Sequence, residues 1–199
     1  MSVEAQRGPD HLAKVVLAGL PGSGRSTILR SMARRHAHDS VRVGDVAGGA
    51  VHRTEFYWPE VLANGRRLRV SLYALSGAPV YNAVSELLLK GCSGIIFVAD
   101  AQEERLQELR EAFRQMVFNL GRAGRDIKRI PAVLQYHHRS PEPGFSVEGM
   151  DRYLGLEPGE VSRLTARYPA EGMDPCRGVE EVVRRIAREA CPDQIMLES

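Results

Sequence analysis

Residues 14–27, K-V-V-L-A-G-L-P-G-S-G-R-S-T, constrain this chain more than any other stretch. Val15, Val16 and Leu17 form a short apolar run suited to a buried strand. Gly19, Gly22, Ser23 and Gly24 follow as a loop that can bend sharply and bring its backbone against a ligand. Ser26 and Thr27 then open a helical pattern continued by Ile28, Leu29, Met32 and Ala33. The phosphate-loop template runs Gly-x-x-x-x-Gly-Lys-Ser/Thr between a strand and a helix. Gly19, Gly24 and Ser26 fit it, and Arg25 stands where the lysine belongs. Backbone N–H groups of such a loop, with the helix N-terminus, make an anion site whatever the side chain. A lysine would add a compact charge between the terminal phosphates; a guanidinium is planar and larger, so the exchange is not conservative. The plainer reading is a glycine-rich connector between a strand and a helix.

Length and composition narrow the class. A chain of 199 residues, 43% hydrophobic and 26% charged, reads as an ordinary globular protein with one buried core. We expect a flexible stretch over 1–11, one domain over 12–192 and a tail over 193–199. The formal net charge of +2 gives no strong pull toward nucleic acid or a membrane surface. No apolar run reaches the length of a membrane span and no signal-peptide core opens the chain, so the expected location is the cytoplasm. Cys92, Cys176 and Cys191 are odd in number and widely spaced, which fits reduced thiols better than a disulfide framework.

Along the chain, strand and helix signals alternate. Strands are expected at 15–18, 55–62, 66–74, 94–99 and 130–136, with another at 165–168. Asn64-Gly65 marks a hairpin between the second and third of these. Helices are expected to about His36 after the glycine loop, at 81–89, at 103–120, near 147–154 and at 179–190. Residues 39–53, rich in Gly, Ala and Asp, read as a mobile loop. The pattern implies an α/β fold: a three-layer sandwich on a mostly parallel six-stranded sheet, with 55–62 as one antiparallel edge strand. Right-handed crossovers would bring the loops after Ala18, Ala74, Asp100 and Tyr136 to one ligand-facing edge.

In this order the pieces resemble the Ras-like P-loop small GTPases, and most of all the bacterial MglA family of gliding and pilus motility and cell polarity. The stretch L-Y-A-L-S-G-A-P-V-Y-N-A-V-S-E-L-L-L-K-G-C-S-G-I-I-F-V-A-D, Leu72 to Asp100, carries the likeness most strongly, and it extends over about residues 13–190. The resemblance implies GTP or GDP held with Mg²⁺. Phosphates would lie on Gly19, Gly22, Ser23, Gly24, Arg25, Ser26, Thr27 and Gly77, with Ser26 and Thr54 as Mg²⁺ ligands. Arg53 would be an intrinsic arginine finger; the alternative is a solvated loop charge. The base would lie beside Gln135, His137, His138, Ser140 and Ala170. The expected partners are a roadblock/longin-type (MglB-like) regulator or an MglA-like GTPase.

The chain departs from that family where the chemistry is most demanding. Ala78 occupies the place of the glutamine that orients the attacking water, in Ser76-Gly77-Ala78. His137, His138 and Ser140 occupy the places of the base-reading Asn-Lys-x-Asp motif, and a serine cannot accept two hydrogen bonds from guanine as a carboxylate does. The expectation is therefore a degenerate member: a pseudoGTPase serving as an interaction module, with weak or altered nucleotide binding and negligible hydrolysis. The alternatives are a working GTP-binding switch whose partner assists hydrolysis and, more remotely, a small-molecule P-loop kinase. The histidines His36, His38, His137 and His138 read as loop residues rather than a metal set. Phe56, Tyr57 and Trp58 must alternate in direction along their strand, so either an exposed ring forms a docking point or Phe56 and Trp58 both enter the core.

Overall fold

In the computed structural model, residues 10–36, 40–46, 51–75, 83–100, 103–137, 147–156 and 174–190 are described. The elements run β1 (His11–Gly19), α1 (Arg25–Arg35), β2 (Ser40–Val46), β3 (Val51–Val61), β4 (Arg67–Leu75), α2 (Ala83–Leu89) and β5 (Gly94–Asp100). A 3-10 turn (Glu103–Arg105) leads into α3 (Leu106–Arg122), followed by β6 (Ala132–His137), α4 (Val147–Leu154) and α5 (Arg177–Glu189). The strands form one sheet in the order β2-β3-β4-β1-β5-β6. β4, β1, β5 and β6 are parallel, so the carboxyl ends of all four reach one edge.

β1 sits between β4 and β5 and is apolar on both sides, as its continuous Val-Val-Leu-Ala run requires. Val15 and Leu17 join the core beneath α1 and α5, with Ile28, Met32, Phe56, Val70, Val182 and Ile186. Val16 and Ala18 join a second core with Ile95, Phe97, Leu109, Phe113 and Leu120, where α3 and α4 pack. α3 buries Leu106, Leu109, Phe113, Met116 and Leu120, the stripe that its 3.6-residue period sets up.

The antiparallel part of the sheet differs from the sequence-based expectation. Residues 40–46, expected in a loop, form the edge strand β2, and β3 begins at Val51. The 55–62 run is therefore not an edge: β3 pairs antiparallel with β2 on one side and β4 on the other. The valines at 41, 43, 46 and 51 carry the strand signal, hidden among Gly, Asp and Ala. The expected strand at 165–168 lies outside the described residues. The hairpin at Asn64-Gly65 is present. Gly65 has φ 75°, its N–H reaches Leu62 O at 2.8 Å, and Asn64 Oδ1 accepts from Arg66 N at 3.1 Å. The β3–β4 register slips between Tyr57 and Val61, around Pro59, which has no N–H to give the ladder.

Candidate functional site

The glycine loop spans the end of β1 and the start of α1, at the edge reached by the parallel strands. Gly19 ends β1 at φ 138°, and a Cβ on it would stand 2.2 Å from Val98 O, so the loop is seated directly on β5. Gly22 and Gly24 also have positive φ, at 80° and 103°, and Gly24 is the N-cap of α1. Its carbonyl takes the N–H groups of Thr27 at 2.9 Å and Ile28 at 3.0 Å, which starts the helix. No acidic residue lies in the first turn, so nothing there offsets the positive end of the helix dipole. Ser23 is buried, Ser26 half-buried and Thr27 exposed.

Arg25 is the unusual group. It shares the inward row of α1 with Ile28, Leu29 and Met32 and is 6% exposed. Among the described residues it has no ion pair and no hydrogen-bond partner. Burial alone lowers its guanidinium pKa to about 10, which still leaves it charged at neutral pH. A buried cation without a counter-charge is costly. A cradle of positive-φ glycines, an uncompensated helix N-terminus and this cation together fit a phosphate group.

The loop has a further support that sequence reasoning missed. Arg105, which the sequence places only within the helix expected at 103–120, donates from Nη1 to Pro21 O at 3.0 Å and pairs with Glu108 at 3.3 Å. Nothing in the local pattern separates Arg105 from the chain's other arginines; only the β5 crossover brings it to the loop.

Arg53 and Thr54 do not reach this edge. Arg53 is in register with Tyr73 and, across β4, with Val16. Its position is three residues short of Gly19, roughly 10 Å along the sheet at ~3.3 Å per residue. Arg53 is held there by Glu55 Oε1 at 3.1 Å and by Tyr73, whose ring centroid lies 5.8 Å away. Glu55 also takes hydrogen bonds from Ser71 at 2.7 Å and Arg69 at 2.8 Å. Burial raises the Glu55 pKa, but the hydrogen bonds from Ser71 and Arg69 and the charges of Arg53 and Arg69 outweigh it, leaving the carboxyl below the usual range. Thr54 points to the opposite face and is fully buried, its Oγ1 without a partner. Thr54 is in register with Leu72 and, across β4, with Val15, four residues before Gly19. Among the described residues no cluster of His, Cys, Asp or Glu could hold a metal.

On the base side, Gln135 is buried and donates from Nε2 to Pro175 O at 3.1 Å, joining β6 to the segment before α5. A Cβ on Gly178 would lie 2.3 Å from Gln135 Oε1, so glycine is what lets α5 start this close. His137 ends β6, its backbone in register with Asp100. His36 stacks on Phe56 at 4.4 Å, far in the fold from the end of β6. Ser76, Gly77, Ala78, His38, His138, Ser140 and Ala170 lie outside the described residues.

Of the aromatic trio, Phe56 and Trp58 are buried and Tyr57 faces the other way, half-exposed. Tyr57 donates its hydroxyl to Asp10 Oδ2 at 2.9 Å and carries Arg67 over its ring at 3.8 Å. Among the described residues no helix is long and apolar enough to cross a membrane.

No family model matches the chain. It is 38% identical over 90 residues to the mutual gliding-motility protein MglA of Myxococcus xanthus (strain DK1622). The match covers 45% of this chain and 46% of that protein's length. The chain is thus similar in sequence to MglA over that stretch, and the match spans less than half of the relative's length.

Proposed function

We propose that this protein is a degenerate member of the MglA-like group, a pseudoGTPase that works as a protein-interaction module in bacterial polarity, motility or related signalling. The observation that carries this reading is the engagement of Arg53. Its guanidinium is tied to Glu55 and stacked on Tyr73, a distance from the phosphate loop that removes it from any reacting phosphate in this conformation. Ala78, standing where a water-orienting glutamine would be, supports the same reading from sequence. A small GTPase that lacks both groups retains a phosphate cradle and loses transition-state stabilisation. When bound, GTP would supply only its anionic phosphates to the loop residues Gly19 through Thr27 and to Arg25. The residues replacing the guanine-reading motif support weak discrimination between GTP and ATP.

The surface proposed to meet a partner is the face of β3 and β4 that carries Arg53, Tyr57, Arg69 and Tyr73. Its occupant in this reading is a roadblock/longin-type regulator or an MglA-like GTPase, met in the cytoplasm. Single-turnover hydrolysis of GTP with Mg²⁺, with and without such a partner, tests the proposal. The expected result is no hydrolysis above the uncatalysed level in the chain alone. Turnover by the chain alone at the rate of an active small GTPase refutes it. One observation favours a second reading, a switch whose partner completes the site: the buried Arg25, without a partner among the described residues, is poised for an anion. Hydrolysis that appears only with the partner would select it.

A further inference from the structure

At the edge of the sheet opposite the phosphate loop, the β3–β4 turn and the last turns of α5 line an open cavity of about 190 Å³. Trp58, Val61, Leu62 and Ala187 supply its apolar lining. Trp58 is 6% exposed, and its indole N–H is buried without an acceptor among the described residues. A buried indole N–H ordinarily finds one. Arg184 lies 6.0 Å from the Trp58 ring centroid and is paired with Glu180 at 3.3 Å. Arg188, also lining the cavity, has no ion-pair partner among the described residues. Glu60 is the single acid of the lining, and it is exposed.

The lining thus offers apolar surface and three donor groups against one acceptor. Its volume suits one ligand of amino-acid size, below the range of drug-sized sites. We propose that this cavity binds a small apolar carboxylate: an aliphatic body against Val61, Leu62 and Ala187, its carboxylate on Arg188, and an acceptor for the Trp58 N–H. The site is independent of the phosphate loop and of the reading given to it above.

Trp58 is the chain's one tryptophan, so its emission reports on the cavity directly. Three probes share one side chain and differ in charge: N-acetyl-leucine (anionic), N-acetyl-leucinamide (neutral) and leucinamide (cationic). The full chain is expected to give a saturable emission change with N-acetyl-leucine and none with the other two. Arg188→Ala, at an exposed position, should weaken that response about tenfold, the loss expected for one charge-assisted hydrogen bond. Glu60→Gln should strengthen it by removing the one repelling charge. Ala187→Phe, which fills the cavity, should abolish it while far-UV circular dichroism stays native. Equal responses to all three probes, a response untouched by Arg188→Ala, or no response from folded protein would each overturn the proposal.

Discussion

Arg25 and Arg53 are the two arginines on which nucleotide chemistry in this chain would rest, and their surroundings are opposites. Arg25 is nearly fully buried at the phosphate loop with no counter-charge among the described residues. Arg53 is half-buried on the sheet, with Glu55 at 3.1 Å and Tyr73 beneath it. One is a cation whose desolvation nothing among the described residues offsets; the other is satisfied where it stands. In the proposed reading, the difference separates binding from catalysis. A loop that keeps an uncompensated charge retains a reason to hold an anion, whereas an arginine already paired must leave its partners before it can serve a transition state.

The largest expected effect tests whether the loop owes its shape to packing or to a ligand. Gly19→Ala puts a Cβ onto Val98 O at a backbone conformation that L residues avoid. Strain and overpacking together should destabilise the protein by about 3 kcal/mol or more, measured by urea unfolding without nucleotide. A loss below about 1 kcal/mol would mean that the loop relaxes freely and its seat on β5 is not what shapes it.

Next comes the network around Arg53. Glu55→Gln should cost about 2 kcal/mol, because it leaves Arg53 and Arg69 without their shared carboxylate. The sign with pH follows from the lowered pKa of Glu55. Its contribution is fully present above the unfolded-state pKa of about 4.3 and is lost as pH falls through the lower folded-state value. The stability gap between wild type and Glu55→Gln should be constant from neutral pH to about pH 5 and close below it. A gap that is flat into strong acid would show that the carboxylate's charge is not what holds Arg53.

Arg25 should behave in the opposite sense. Arg25→Met removes a buried charge that has no pair among the described residues and should stabilise the ligand-free protein by about 1–2 kcal/mol. The same change should abolish the rise in melting temperature produced by added GTP or inorganic pyrophosphate. If Arg25→Met destabilises the ligand-free chain, the cation has a partner outside the described residues, and the contrast with Arg53 fails.

How far the sequence reveals all this depends on the range of each signal. The loop at Gly19–Gly24 and the turn at Asn64-Gly65 are legible because local backbone conformation demands those residues. β1 is legible because a strand covered on both faces must be apolar throughout. β2 is not, since its valines at 41, 43 and 46 are interspersed with Gly and Asp and only the pairing with β3 makes the strand evident. Arg53 and Thr54 are expected from sequence beside the phosphate loop, yet strand register, a tertiary property, sets them level with Val16 and Val15 instead of Gly19. Arg105 and Gln135 take up their contacts with Pro21 and Pro175 only when distant elements meet. The fold was therefore more legible than the site.

The smallest effect on stability carries the most information about partners. Tyr57 shares the outer face of β3 with Arg53 and Glu55, but its ties are peripheral: a hydroxyl bond to Asp10 and a cation over its ring from Arg67. Exposed contacts of this kind contribute little, so Tyr57→Ala should change stability by less than about 1 kcal/mol. Tyrosine and arginine are nevertheless the residues that dominate binding interfaces, because they bury much area at modest entropic cost. If the β3–β4 face is the docking surface, Tyr57→Ala should abolish co-purification with a roadblock-type partner, and Arg25→Met should leave it intact. The reverse pattern, a partner lost with Arg25→Met and kept with Tyr57→Ala, would mean that loop occupancy governs docking. Arg25 and Arg53 would then belong to one nucleotide-dependent switch, and the separation of binding from catalysis drawn between them would not hold.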